Sequence, residues 1–252
     1  MDGTERAILL IADISGFTGF MKQKSISLNH AKQIVVRLLK SVIEASESPL
    51  RVAEIEGDAV FFTAIVEGDP AVAAHAIKRK LGDFFEAFRA ERDSMDSLQT
   101  CSCDACVQVG SLRLKQVVHF GEVARETIGS FEKFFGSDVI LVHRMLKNSV
   151  GAKEYVMMTM PAFAETGGIE GAREERRIEE FEGMGKVETV VFTRTQDAGL
   201  HLVPEPTPLR KLGWRWLISW RFFTDLLGID RIRGNFRNLE KMPQRRQDSK
   251  DA

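Results

Sequence analysis

The sequence predicts an α+β sandwich, in which helices pack on one face of a single antiparallel or mixed sheet. Three features of its 252 residues support this prediction. Residues 7–18 begin as an almost unbroken apolar run, which is typical of a buried strand, and Asp13 near the end is their only charge. Strand-like segments then alternate with segments of helical periodicity. A Gly-Asp pair at 57–58 separates two strand-like runs, which indicates a hairpin and excludes a purely parallel sheet.

The individual elements follow from local patterns along the chain. Apolar residues at helical spacing from Leu28 to Ile43 predict an amphipathic helix that ends at about 46–49. Asp69 and Pro70 begin a second helix that fades near Ser97. The other predicted elements are a hairpin at 51–66, a cysteine-containing loop at 100–111, a strand at 112–119 ended by Gly121, a helix opened by 136–137, and strands at 155–160 and 187–193. We interpret the charged run at 173–180 as a solvated face.

Composition limits the function classes and the compartment. With 44% hydrophobic residues, the chain can bury one large core, and a net charge of −1 gives no global sign of a nucleic-acid partner. Residues 1–6 are polar, and the apolar run after them is too short to span a membrane, so no secretory signal is expected. Three cysteines within six residues indicate a reducing compartment. We therefore expect a cytoplasmic protein or one at the cytoplasmic face of a membrane.

Asp13 and Asp58 are the first candidate site residues. A carboxylate at the end of a buried strand is costly unless it is paired or binds a cation. In the predicted sheet, the end of the first strand and the hairpin turn lie side by side, which brings the two aspartates together. Two such carboxylates suit Mg²⁺ or Mn²⁺, with substrate phosphates completing the coordination. The residues alone also allow a structural interpretation, in which Asp13 caps a turn and Asp58 is an ordinary hairpin residue.

The cysteine loop is a second candidate metal site. Cys101, Cys103 and Cys106 place three thiols in one short segment, and zinc would need a fourth ligand. Asp104, His119 or a partner chain could supply it. The alternative interpretation is a reduced loop without metal.

The C-terminal residues form a separate region. We expect a main domain at 1–200, a proline-rich connector at 201–208, an aromatic and basic helical appendage at 209–241, and a disordered tail at 242–252. Residues 209–228 contain all three tryptophans together with arginines, a pattern typical of a helix lying on an anionic membrane surface. The same helix could instead pack on its own domain or in a dimer interface.

Five segments, in order along residues 7–193, resemble the class III nucleotidyl cyclases, the adenylate and guanylate cyclase catalytic domains. The first segment is Ala-Asp-Ile-Ser-Gly-Phe-Thr at 12–18, which is similar to the metal-binding signature of that family. The other four are Glu-Gly-Asp at 56–58, Val-His-Phe-Gly-Glu-Val at 118–123, the helix segment at 135–145, and Glu-Gly-Met-Gly-Lys-Val-Glu-Thr at 182–189. The cysteine loop resembles a divergent bacterial branch of these proteins. The resemblance implies the ferredoxin-like cyclase sandwich.

The resemblance also implies a function and a set of site residues. Asp13 and Asp58, helped by the Ile14 carbonyl, would hold two Mg²⁺ or Mn²⁺ ions, which supply the two-metal clamp for making a 3′,5′-cyclic nucleotide and pyrophosphate in signal transduction. By the same resemblance, Arg144 would stabilise charge on the α-phosphate. The residues implied to contact the nucleotide are Phe17, Glu54, Lys133 and Lys186. Glu54 and Lys133 match groups that would select the base, and their charges favour GTP over ATP.

Two positions depart from the family pattern. Ile140 occupies the place of an asparagine that stabilises the transition state, and Glu182 occupies the place of a phosphate-binding lysine, for which Lys186 could substitute. We favour an active cyclase because both aspartates and Arg144 are present. The alternative is a weakly active or inactive regulatory pseudocyclase. Class III sites form between two domains, so a homodimer is implied, or a heterodimer whose partner supplies the missing groups.

Overall fold

A mixed sheet organises the computed structural model, which describes residues 3–21, 28–98, 101 and 103–194. Its strands are β1 (Glu5–Ser15), β2 (Arg51–Glu56), β3 (Ala59–Ile65), β4 (Arg113–Ile128), β5 (Phe131–Phe135), β6 (Tyr155–Thr159), β7 (Ala172–Phe181) and β8 (Gly185–Arg194). Its helices are α1 (Phe17–Met21), α2 (Leu28–Glu44), α3 (Pro70–Ser97), α4 (Asp104–Gln108), α5 (Ser137–Met145) and α6 (Met160–Thr166). The predicted connector, appendage and tail lie outside the described residues.

The strand order is β2-β3-β1-β4-β6-β8-β7, and β5 pairs with the far end of β4. Every pairing is antiparallel except that of β4 with β6. The predicted α+β class and antiparallel or mixed sheet are therefore confirmed. Strand β1 is central, and its pairing with β3 and β4 places Asp13 opposite both Ala59 and Lys115.

The two faces of the sheet pack against cores of different size. Alternate β1 residues Ile8, Leu10, Ala12 and Ile14 face a core that contains the buried sides of α2 and α3, and we call this the helical face. Leu9, Ile11 and their neighbours face a smaller core closed by α5, which we call the α5 face. The expectation that all helices lie on one face was wrong, because α5 buries Leu141, Val142 and Met145 against the opposite side.

Several local elements differ from the sequence expectations. The loop at 100–111 contains α4 and a 3₁₀ turn at Val109–Ser111, and α6 follows β6 where no helix is predicted. Strand β4 continues past Gly121, because its residues there stay paired first with β1 and then with β5. The charged run at 173–180 is β7, an edge strand whose charged residues are mostly exposed to solvent. No helix among the described residues is both long and apolar enough to cross a bilayer.

Candidate active site

Asp13 and Asp58 are brought together at one end of the sheet. The β2–β3 turn is held against β1 by a 3.1 Å hydrogen bond from the Ile14 N–H to the Asp58 carbonyl. Burial and the negative charge of Asp13 raise the pKa of the Asp58 carboxyl from 3.8 to about 6. The alternation of β1 directs the Asp13 side chain to the α5 face, while the Ile14 side chain is buried on the helical face. Two carboxylates therefore share one partly buried location.

Lys115, which is not among the predicted site residues, forms an ion pair with Asp13. It lies opposite Asp13 on β4, with its Nζ 2.9 Å from the Asp13 Oδ2, and it also donates to the Leu146 carbonyl at 3.2 Å. The side chains of Lys115 and Asp13 are only 18% and 14% exposed. Its charge acts to lower the pKa of Asp58, but burial and Asp13 outweigh it. No local sequence pattern indicated this contact, because only the register of β1 against β4 places Lys115 beside Asp13.

The donor set fits a hard divalent cation. Asp13 and Asp58 offer carboxylate oxygens, the ligands that Mg²⁺ and Mn²⁺ favour. The raised pKa of Asp58 means that this carboxyl takes up a proton readily while the negative charge around it is uncompensated. A divalent cation would supply that compensation. The two aspartates are the residues that would hold it.

Glu54 and Lys133, the two residues predicted to contact the base, form an ion pair with each other. The Lys133 Nζ lies 2.6 Å from the Glu54 Oε2, which joins β2 to β5. Both side chains are about two-fifths exposed, at 39% and 40%. They therefore present one donor group and one acceptor group side by side to solvent or to a ligand.

Arg144 and Glu182 form a second ion pair at the surface. The Arg144 guanidinium near the end of α5 donates to the Glu182 carboxylate in the β7–β8 turn. Ile140, one turn earlier on α5, is 53% exposed. Lys186 is exposed on β8, where its register partner is Glu180. Phe17, at the start of α1, is partly buried against the core of the helical face.

A polar cluster anchors the beginning of α5. The Asp138 Oδ2 accepts a 2.7 Å hydrogen bond from the Glu122 N–H, and the Asp138 Oδ1 lies 3.3 Å from the His119 Nε2. The His119 Nδ1 lies 2.8 Å from the Thr159 hydroxyl. Burial lowers the pKa of His119, although the Asp138 charge opposes that shift. His119 therefore joins β4, β6 and α5 and lies inside the fold.

The three cysteines cluster with His30, which is not among the predicted fourth ligands. Nδ1 or Nε2 of His30 and the Sγ atoms of Cys101, Cys103 and Cys106 all lie within 4.8 Å of one another, and we call these four residues the His/Cys cluster. No disulfide joins the cysteines. Burial raises the pKa of the Cys103 thiol, but hydrogen bonds from the Cys106 N–H and from neighbouring side chains outweigh it and bring the pKa down to about 6.

The sequence of the chain is similar to a protein family and to a mycobacterial protein. A family described as "Protein of unknown function (DUF2652)" matches residues 35–155. The chain is 31% identical over 205 residues to "Uncharacterized protein Rv2561/Rv2562" of Mycobacterium tuberculosis, an alignment that covers 81% of this chain and 94% of the relative.

Solved structures resemble the fold at low sequence identity. The guanylate cyclase domain of RhGC from Catenaria anguillulae, in complex with GTP, has a TM-score of 0.56 at 16% identity, covering 76% of this chain and 98% of that one. The adenylyl cyclase CyaB from P. aeruginosa has a TM-score of 0.58 at 13% identity, covering 78% of this chain and 98% of that one. The fold implied by the sequence resemblance, that of class III nucleotidyl cyclase domains, is confirmed.

Proposed function

The chain belongs to the family of the Mycobacterium tuberculosis protein Rv2561/Rv2562, and we propose that it is a class III nucleotidyl cyclase-like protein that binds a nucleoside triphosphate with divalent cations. The observation that supports this most directly is the convergence of Asp13 and Asp58 at the end of β1. The cations would neutralise phosphate charge and activate the attacking hydroxyl. The product would be a 3′,5′-cyclic nucleotide that acts in signal transduction.

GTP is the proposed substrate because of the charges of Glu54 and Lys133. A carboxylate accepts from the N1–H and exocyclic amine of guanine, whereas it repels the N1 acceptor of adenine. A lysine ammonium donates to guanine O6. Their 2.6 Å ion pair supports the proposal, because it places the donor and the acceptor side by side without a ligand.

A homodimer is the proposed assembly. Arg144, the group proposed to act on the α-phosphate, would then come from a second copy of the chain. Exposed apolar side chains support this, since Ile55 on β2, Phe131 and Phe135 on β5, and Ile140 on α5 are between 48% and 69% exposed. Strand β5 pairs with β4 and contacts β2, so part of this apolar surface is continuous with the Glu54–Lys133 pair.

The second candidate function is a nucleotide-binding pseudocyclase or heterodimer partner. The ion pair between Arg144 and Glu182 favours it, because the acidic side chain neutralises the arginine proposed for catalysis. Ile140 favours it as well, because an aliphatic side chain donates no hydrogen bond. Loss of one preorganised donor typically lowers a rate by about 100- to 1000-fold.

Incubation of the purified chain with Mn²⁺ and each of ATP, GTP, CTP and UTP tests the two candidates. We expect cyclic GMP as the main product, and we expect Asp13→Asn and Asp58→Asn to form none. Nucleotide binding without product would overturn the cyclase proposal and support the pseudocyclase. Absence of both binding and product would overturn both.

The proposed location is the cytoplasm. Residues 209–228, for which the sequence predicts a helix that contacts an anionic membrane or packs on its own domain or in a dimer interface, lie outside the described residues. Co-sedimentation with anionic liposomes, comparing the full chain with a truncation after residue 207, tests that contact. Equal pelleting of the two proteins would contradict it.

A further inference from the structure

The His/Cys cluster lies away from the proposed nucleotide site. His30 is in the first turn of α2, and the cysteines belong to the segment between α3 and β4. Cys103 packs against the core of the helical face, together with Ala105 and Val109. The Asp13 side chain points to the opposite face of the sheet. The cluster therefore requires an explanation of its own.

Its geometry matches a tetrahedral metal site. The His30 Nδ1 lies 3.4 Å from the Cys103 Sγ and 3.5 Å from the Cys106 Sγ. With Zn–N near 2.0–2.1 Å and Zn–S near 2.3 Å, tetrahedral angles place neighbouring nitrogen and sulfur ligands about 3.6 Å apart. The same geometry places two sulfur ligands about 3.8 Å apart, within the 4.8 Å spread of the cluster.

The chemistry of the four ligands selects the metal. Three thiolates and one imidazole are soft or borderline ligands, which suit Zn²⁺ and not the hard cations that carboxylates bind. A set of four protein ligands leaves no open position, and this is the arrangement of structural zinc sites. The Cys103 N–H donates to the Cys101 Sγ at 3.4 Å, an outer hydrogen bond of the kind that orients and stabilises a thiolate ligand.

We propose that the His/Cys cluster holds one structural Zn²⁺ ion, which clamps the beginning of α2 to the segment that connects α3 with β4. Helix α4 starts directly after Cys103 and contacts α1, α2 and α3. It has five residues and no side-chain hydrogen bond at its N-cap, so its own helical stability is small. The metal would hold this short helix in place and thereby fix the packing of α1, which follows the strand end that carries Asp13.

Metal analysis of the chain, expressed and purified without a histidine tag, tests the proposal directly. We expect about one zinc per chain, and we expect Co²⁺ exchanged into the site to show thiolate charge-transfer absorption with the strong visible bands of tetrahedral cobalt. Zinc-free protein that also fails to bind added Zn²⁺ or Co²⁺ under reducing conditions would overturn the proposal. Octahedral cobalt spectra without thiolate bands would overturn it as well.

Three histidine variants test the role of the fourth ligand. His30→Ala should weaken zinc binding at least tenfold, whereas His75→Ala, at an exposed histidine on α3, should leave it unchanged. His30→Cys should keep the metal in a four-sulfur site and raise the charge-transfer absorption. Equal zinc affinity in His30→Ala and in the unmodified chain would overturn the assignment of His30.

Zinc binding is also separable from the proposed function. Asp13→Asn should retain the full zinc content while losing Mn²⁺ binding, because the two sites lie on opposite faces of the sheet. Loss of zinc in this variant, with the cysteines intact and the protein folded, would place the zinc at the aspartates and overturn the proposal. The zinc content therefore answers a different question from the cyclase assay.

Discussion

The two charged parts of the proposed nucleotide site are built in opposite ways. At the aspartate end, formed by Asp13, Asp58 and Lys115, two negative charges are held together and one lysine compensates them in part. At the arginine end, formed by Arg144 and Glu182, one positive and one negative charge neutralise each other at the surface. The first arrangement favours the arrival of a cation. The second offers little net charge to a phosphate.

This difference predicts that metal binding and transition-state chemistry can be disturbed separately in this protein. The aspartate end depends on strand register and on the β2–β3 turn, which the core keeps in place. The arginine end depends on the exposed side of α5 and on a turn, where substitutions cost little stability. Variants that act on one end at a time should therefore affect binding and catalysis differently.

The largest expected effect is at the aspartate end. Asp13→Asn should weaken Mn²⁺-dependent nucleotide binding about 100-fold or more, because it removes the charge of one proposed metal ligand. Loss of one partner from a buried, hydrogen-bonded charge pair typically costs about 2–5 kcal/mol. Titration calorimetry with Mn²⁺ and a non-hydrolysable GTP analogue measures it. Glu44→Gln, at a carboxylate 65% exposed on α2, is the matched control and should bind normally. Undiminished binding in Asp13→Asn would return this residue to a structural role.

The second effect should repair the arginine end. Ile140→Asn combined with Glu182→Lys releases Arg144 and restores two donors, so product formation should rise about 100-fold. Cyclic-nucleotide release from GTP or ATP, monitored by chromatography, measures the change. Glu67→Lys makes the same charge change at an exposed residue, beyond the end of β3 that is opposite to Asp58, and should have little effect. An equal rise in both proteins would mean that general electrostatics, and not the arginine end, controls the rate.

A smaller effect should follow from disturbing the anchor of α5. A Cβ at position 121 would lie 2.2 Å from the Asp138 Oδ2 and 2.7 Å from the His119 Nε2. Gly121→Ala should therefore lower the free energy of unfolding by about 1–3 kcal/mol and reduce turnover while Mn²⁺ binding is retained. Urea unfolding and metal titration measure the two quantities. Gly82→Ala, where nothing lies within 4 Å of the added Cβ, should cause no such loss; loss of Mn²⁺ binding in Gly121→Ala would contradict the independence of the two ends.

The smallest expected effect is a pH dependence of metal affinity. Metal binding needs the Asp58 carboxylate, and burial beside Asp13 raises the pKa of that group to about 6. Mn²⁺ affinity should thus be flat above that pH and fall about tenfold per unit below it. For the metal-free protein the sign is opposite: the stability linked to Asp58 is present below pH 3.8 and is lost as the pH rises through about 6.

Mn²⁺ titrations between pH 5 and 8 measure this dependence. In Asp58→Asn the residual Mn²⁺ affinity should no longer fall as the pH drops below about 6. The metal-free variant should be more stable than the unmodified chain, by a larger margin at pH 8 than at pH 5. A pH-independent affinity in the unmodified chain would mean that Asp58 is not a ligand.

Sequence patterns were sufficient for the main elements of the fold. An unbroken apolar run predicted β1, because this strand is buried on both faces. The Gly-Asp turn signal predicted the β2–β3 hairpin, and helical spacing predicted α2, α3 and α5. The continuation of β4 past Gly121 and the strand character of β7 could not be predicted in this way. The continuation of β4 depends on pairing with β1, which is distant in the sequence, and with β5. Strand β7 lies at a solvated sheet edge, where apolar alternation is weak.

The sequence by itself determined the α+β class and the location of Asp13 and Asp58 at a strand end and a hairpin turn, because local hydrophobic patterns encode both. Only the tertiary structure decided the partners of the charged and metal-binding groups. Lys115 reaches Asp13 through strand register, Glu182 reaches Arg144 across a turn, and His30 reaches three cysteines more than 70 positions away. Such pairings depend on how distant elements pack, and no local pattern records them.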